Sequence, residues 1–172
     1  MDISIIDTSK VDQHTGIIVG DIANQPAVIE YLNLACPYCR QWFNDSKETL
    51  AQALKEKQAY RVIKLFNKEK ESLKRGNIMH QYIAKFGGKQ ALADIQAILD
   101  SQEEWKNLPL DEVEIFARQV LHLTKQVDTG TADKIITEAT AAVIQFVPTV
   151  IINEHIFDES VTQTKLKNYL TK

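Results

Sequence analysis

Ala27-Val28-Ile29-Glu30-Tyr31-Leu32, followed by Cys36-Pro37-Tyr38-Cys39 and then Gln41-Trp42-Phe43, is the stretch whose reading decides the fold. Its first six residues are short, mostly apolar and rich in β-formers, the pattern of a buried strand. Beyond the cysteines, Trp42, Phe43, Leu50, Ala53 and Leu54 recur at helical spacing and predict a helix to about Lys57. A strand that ends in Cys-x-x-Cys and turns into a helix sets both sulfurs at the helix N-terminus. Unpaired N–H groups and the helix dipole there stabilise a thiolate, the reactive form of cysteine. Such a setting lowers a thiol pKa from about 8.5 to roughly 3.5–7.5. The reading is therefore thiol–disulfide exchange.

Two plainer explanations fit less well. A zinc site needs four ligands, and the chain has 2 cysteines with its 4 histidines (His14, His80, His122, His155) scattered. A structural Cys36–Cys39 disulfide would close a tiny loop and constrain the unfolded chain very little. No metal and no cofactor are expected.

Working outward, Tyr60-Arg61-Val62-Ile63-Lys64-Leu65-Phe66 reads as a second core strand, and the strand–helix–strand order predicts a parallel pair. Two short apolar pieces, Ile3-Ser4-Ile5-Ile6 and Gly16-Ile17-Ile18-Val19-Gly20, read as edge strands or extended arms. From about Lys68 to Phe146 the pattern is helical. Leu73, Met79, Tyr82, Ile83 and Phe86 line a first helix stopped by Gly87-Gly88. Ala91, Ile95, Ile98 and Leu99 line a second. Leu110, Val113, Phe116, Val120 and Leu121 line a third, opened by Pro109. Thr131 is the expected N-cap of a fourth, carrying Ile135, Ile136, Ala139, Val143 and Phe146. Thr149–Asn153 and His155–Phe157 read as a hairpin, and Val161, Leu166, Tyr169 and Leu170 as a last amphipathic helix.

At 172 residues the chain fits one domain with a sizeable insertion, and 44% hydrophobic content is enough for a core without disulfide staples. A net charge of −3 gives no reason to invoke nucleic acid; the basic stretch from Lys55 to Lys89 reads as solvated helix faces. The opening residues lack a basic, then apolar, signal pattern, and no apolar run spans a membrane. A cytoplasmic, monomeric protein is expected.

The layout, with Cys-Pro-x-Cys at the first strand-to-helix turn and Val147-Pro148-Thr149 before the late hairpin, resembles the DsbA-like branch of the thioredoxin superfamily over nearly the whole chain. The resemblance implies an α/β fold: a thioredoxin-like mixed sheet flanked by helices. Its halves fall at residues 1–67 and 134–172, with a helical insertion at 68–133. It implies Cys36 as nucleophile, Cys39 as resolving cysteine, and Pro148 as a cis-proline beside the site whose neighbour Val147 pairs with the substrate backbone. Pro37 and Tyr38 tune the pair and face the substrate. Tyr38 stands where the strongest oxidants of that branch carry histidine, which moves the expected potential toward about −200 to −230 mV. Glu30, in an apolar strand, resembles the acid buried behind such sites. Without a partner it would be held neutral and could relay a proton to Cys39; the alternative is an outward turn or a salt bridge to Lys64. Trp42 and Phe43 read as core, and His80 as a satisfied histidine. Expected partners are protein or peptide thiols and disulfides, with glutathione a further candidate. A glutathione-using transferase or isomerase and a redox-gated peptide-binding module are the alternatives on the same fold.

Overall fold

In chain order the elements are β1 (Ile17–Val19), β2 (Ala27–Leu32), α1 (Pro37–Lys55), β3 (Tyr60–Leu65), α2 (Lys74–His80), α3 (Gly88–Asp100), α4 (Gln102–Trp105), α5 (Leu110–Gln119), α6 (Thr131–Ala141), β4 (Thr149–Ile152), β5 (His155–Phe157) and α7 (Gln163–Leu170). The computed structural model describes residues 2–23 and 25–171. The strands form one sheet in the order β1-β3-β2-β4-β5. β2 and β3 run parallel, as the strand–helix–strand order predicts, and the other neighbours are antiparallel. This is the expected thioredoxin-like mixed sheet with helices on its faces.

Alternation along the central strands separates two cores. Val28, Leu32, Ile63, Leu65, Val150 and Ile152 share one cluster with α1, α7 and the inserted helices. Ile29, Tyr31, Tyr60, Val62 and Ile151 share the other with Ile135 and Ala139 of α6. β2 and β3 are buried along their whole length. Burying each large apolar side chain contributes about 1.5–3 kcal/mol, so this pair of strands is a firm base for the turn that follows β2. The site loop is anchored at its end.

Several local expectations are corrected. Ile3–Ile6 is not a strand: Asp2 Oδ1 accepts the Ser4 N–H at 3.0 Å and Asp7 Oδ1 accepts the Ser9 N–H at 3.0 Å, local bonds that compete with sheet pairing. The first inserted helix stops at His80, not at Gly87. Tertiary bonds take the backbone beyond it: Gln126 N–H donates to Gln81 O, and Ala84 N–H donates to Asp94 Oδ2. Gly87, at φ +86, then caps α3 instead of closing α2. Thr131 is the first helical residue of α6, and the cap is Gly130, at φ +70. That helix ends at Ala141, leaving Phe146 48% exposed. The short α4 has no counterpart in the sequence reading. Among the described residues no helix is long and apolar enough to cross a membrane.

Candidate active site

Cys36 is the N-cap residue of α1, in extended conformation, and Pro37 opens the helix. Pro at this position costs no backbone bond, because the first helical N–H groups have no intrahelical partner. Cys39 follows one turn in and is fully buried, while Cys36 retains 5% exposure. Val147-Pro148, brought back by α6 and β4, is a cis peptide. Cys36 Sγ lies 3.4 Å from Val147 O. Two segments 111 residues apart thus meet at the sulfur. Pro37 and Tyr38 are exposed beside it, Val147 is partly buried and Pro148 is buried.

The two sulfurs have unlike electrostatics. A hydrogen bond from the Cys39 thiol is the largest influence on Cys36; with the Cys39 and Tyr38 backbone amides, it outweighs burial and brings the Cys36 pKa down to about 7. Cys39 is pushed well above the ordinary thiol range by burial first and by its role as donor to Cys36 second. The Asn33 N–H reaches Cys39 Sγ at 3.4 Å. One sulfur is the readily ionised one, and the other is the proton-bearing partner. Reduced protein should therefore react with iodoacetamide at Cys36 alone. Because the thiolate is the reacting form, the rate should rise with pH around a midpoint near 7 and fall as pH drops through it. A midpoint near the ordinary thiol value would contradict the geometry.

Glu30 is fully buried, but not alone. Arg61 donates Nε to Oε2 at 2.7 Å and a guanidinium NH2 to Oε1 at 2.9 Å, while Trp42 Nε1 donates to Oε1 at 2.8 Å. The unpartnered acid expected from the sequence is thus half of a buried ion pair. Nor is Lys64 its partner. Glu30 is paired in register with Ile63, so Lys64 points to the opposite face with Tyr31. There it meets Glu138 at 2.8 Å. Period-two parity decides the partner, and Arg61 has the right parity.

Trp42 is core, as expected, with its ring edge against Phe157 at 5.7 Å between centroids. Three contributors were missed. Asn33 places its side-chain oxygen on the Ala35 N–H at 3.0 Å and donates to Phe66 O at 3.1 Å, shaping the turn before Cys36. Lys68 Nζ donates to Gln145 O at 2.9 Å, tying β3's exit to the segment before Val147. Phe146 joins Tyr38 as an aromatic exposed in the segments that carry the site. A polar residue directly after a mostly apolar strand was a readable signal for Asn33; nothing local marks the other two. Among the described residues no cluster of three or more His, Cys, Asp or Glu side chains is arranged to hold a metal.

Comparison with known proteins gives the class. The thioredoxin family model matches residues 12–172, and the chain belongs to that family. A conserved protein of unknown function from Enterococcus faecalis V583 is 49% identical, with TM-score 0.97 over 100% of this chain and 98% of that one. The catalytic domain of Proteus mirabilis ScsC superposes with TM-score 0.69 at 17% identity, over 96% and 94% of the two chains. A protein-disulfide isomerase from Novosphingobium aromaticivorans does so with TM-score 0.65 at 13% identity, over 91% and 97%. No curated protein matches the chain. The fold is the DsbA-like one, a thioredoxin sheet interrupted by helices.

Proposed function

We propose that the protein is a thiol:disulfide oxidoreductase acting on protein or peptide substrates through Cys36 and Cys39. One observation carries this reading: an N-capping Cys36, its pKa brought down to about 7, faces the Val147 carbonyl, while Cys39 beside it is buried and held protonated.

In the reducing direction the Cys36 thiolate attacks one sulfur of a substrate disulfide. A Cys36–substrate S–S bond forms and the other substrate sulfur leaves as a thiolate. Cys39 then gives up its proton, to the departing thiolate or to water, and attacks Cys36 Sγ. The mixed disulfide breaks, the second substrate sulfur leaves, and the protein ends with a Cys36–Cys39 disulfide. The substrate has gained two electrons and the protein has lost two. The reverse sequence oxidises a dithiol. Val147 offers backbone to an extended substrate, in the manner of strand addition, and Tyr38 and Phe146 offer apolar surface. Glu30 contributes from behind the site, by fixing Trp42 of α1 and Arg61 of β3. Direction follows from the partner and from the compartment's poise.

The test is Cys39→Ser. The second half-reaction then has no nucleophile, so a covalent mixed disulfide with a disulfide-containing peptide should accumulate and be released by dithiothreitol. Turnover undiminished by this change would favour a single-cysteine glutathione chemistry instead. Stoichiometric peptide binding with no covalent adduct would favour a binding module.

A further inference from the structure

The turn Asn33–Cys36, which carries the nucleophile out of β2, is grasped by the helical insert. Gly76 of α2 lies so close that a Cβ there would overlap the Asn33 side chain and come within 2.7 Å of Ala35 N. At the end of the same helix, His80 Nε2 accepts the Leu34 N–H at 3.2 Å, and its Nδ1 lies 2.7 Å from Asn67 Oδ1. A backbone N–H can only donate, which leaves Nε2 bare and places the ring proton on Nδ1. Burial takes the His80 pKa down to about 3, so the ring stays neutral and both nitrogens stay engaged.

Gln102, at the start of α4, approaches from another side. Its fully buried side chain donates Nε2 to Leu34 O at 2.7 Å and to Cys36 O at 3.2 Å. Turning the amide over would set its oxygen against two carbonyl oxygens, so the orientation is fixed by chemistry. The consequence is that Oε1 has no partner among the described residues. An orphaned buried acceptor is costly, and an apolar side chain of the same shape would avoid it. What Gln102 supplies in return is its donors to the nucleophile's own carbonyl and that of Leu34.

We propose that His80 and Gln102 are positioning residues for Cys36: from the insert, they lock the Leu34–Cys36 backbone so that the sulfur keeps its donors and its place against Val147. The proposal rests on the thiol–disulfide reading. It gives the insert a part in the chemistry besides covering the sheet. Hydrogen bonds weaken steeply as distance and angle degrade, so a loosened turn stabilises the thiolate less.

The variants are Gln102→Met, which keeps size and removes the donors, and His80→Leu, which removes the acceptor. Tyr31→Phe is the control, because it deletes a part-buried bond to Glu138 on the other face of the sheet. The pH profile of Cys36 alkylation is the readout. Both variants should move the midpoint up by about half a unit or more, which slows alkylation at acidic pH about threefold. Tyr31→Phe should lower stability and leave the midpoint in place. His80→Gln, whose amide can both accept from Leu34 and donate to Asn67, should recover most of the shift. Folded Gln102→Met and His80→Leu proteins with the unaltered midpoint would overturn the proposal while leaving the oxidoreductase reading intact. If the variants do not fold, amide exchange in the unaltered reduced protein decides: Leu34 should be strongly protected, and exchange at the rate of an open loop overturns the proposal. An unaltered protein that never exchanges with glutathione would instead remove the functional reading itself.

Discussion

Cys36→Ser should bring thiol–disulfide exchange down to the uncatalysed baseline while leaving the fold in place. The reason is ionisation. With its pKa near 7, about half of Cys36 is thiolate at neutral pH, whereas a serine hydroxyl is not ionised and cannot form the S–S bond that exchange requires. Little structure depends on the sulfur, whose contacts are with Cys39, the Tyr38 backbone amide and the Val147 carbonyl, and a serine hydroxyl can take up the same hydrogen bonds at the N-cap position. Insulin reduction by dithiothreitol, followed by turbidity, checks the activity, and thermal unfolding checks the fold. Retained turnover would mean that some other group is the nucleophile. The buried Cys39, held protonated, is a poor candidate.

Glu30→Ala should produce the largest loss of stability of any single change near the site. It deletes the acceptor of both Arg61 bonds and of the Trp42 indole N–H, and it leaves a buried guanidinium without a counter-charge. Breaking a buried pair in this way costs about 3–5 kcal/mol. For a chain of this size that corresponds to a drop in Tm of roughly 6–20 °C. Urea unfolding gives the free energy directly. Replacing Glu30 and Arg61 together with apolar residues of similar volume should recover most of the loss, because the uncompensated charge is then absent. A Glu30→Ala protein as stable as the original would show that the ion pair does not hold α1 to the sheet.

The strand–turn–helix at the centre of the fold was legible because its parts obey simple periods. The mostly apolar run of β2, the helical spacing after Cys39 and the β-rich Tyr60–Leu65 each admit one reading, and they agree with one another. The two cysteines were legible at the β2-to-α1 turn, and Val147-Pro148 as the dipeptide before the late hairpin, which the fold brings against Cys36. Helix ends inside the insert were less legible. His80 closes α2 because backbone groups beyond it bond to Gln126 and Asp94, partners far along the chain. The partner of Glu30 turned on strand parity: Lys64 is near in sequence to Arg61 but one residue out of phase. Gln102 and His80 left no pattern at all. Their partners on the turn before Cys39 are backbone atoms 46 to 68 residues away, and no local period records such a contact.

The pair's equilibrium follows from the same electrostatics. A Cys36 pKa near 7 matches that of thioredoxin, about 7, and stands far above the roughly 3.5 of DsbA, whose strongly stabilised thiolate makes it a strong oxidant. The decisive measurement is a redox titration of Cys36–Cys39 in glutathione buffers, read by thiol alkylation and by the fluorescence of Trp42. The expected result is one reversible two-electron transition between about −270 and −200 mV. No reversible transition, or one near the −120 mV or so of DsbA, would contradict the arrangement of charges and hydrogen bonds described for the two sulfurs.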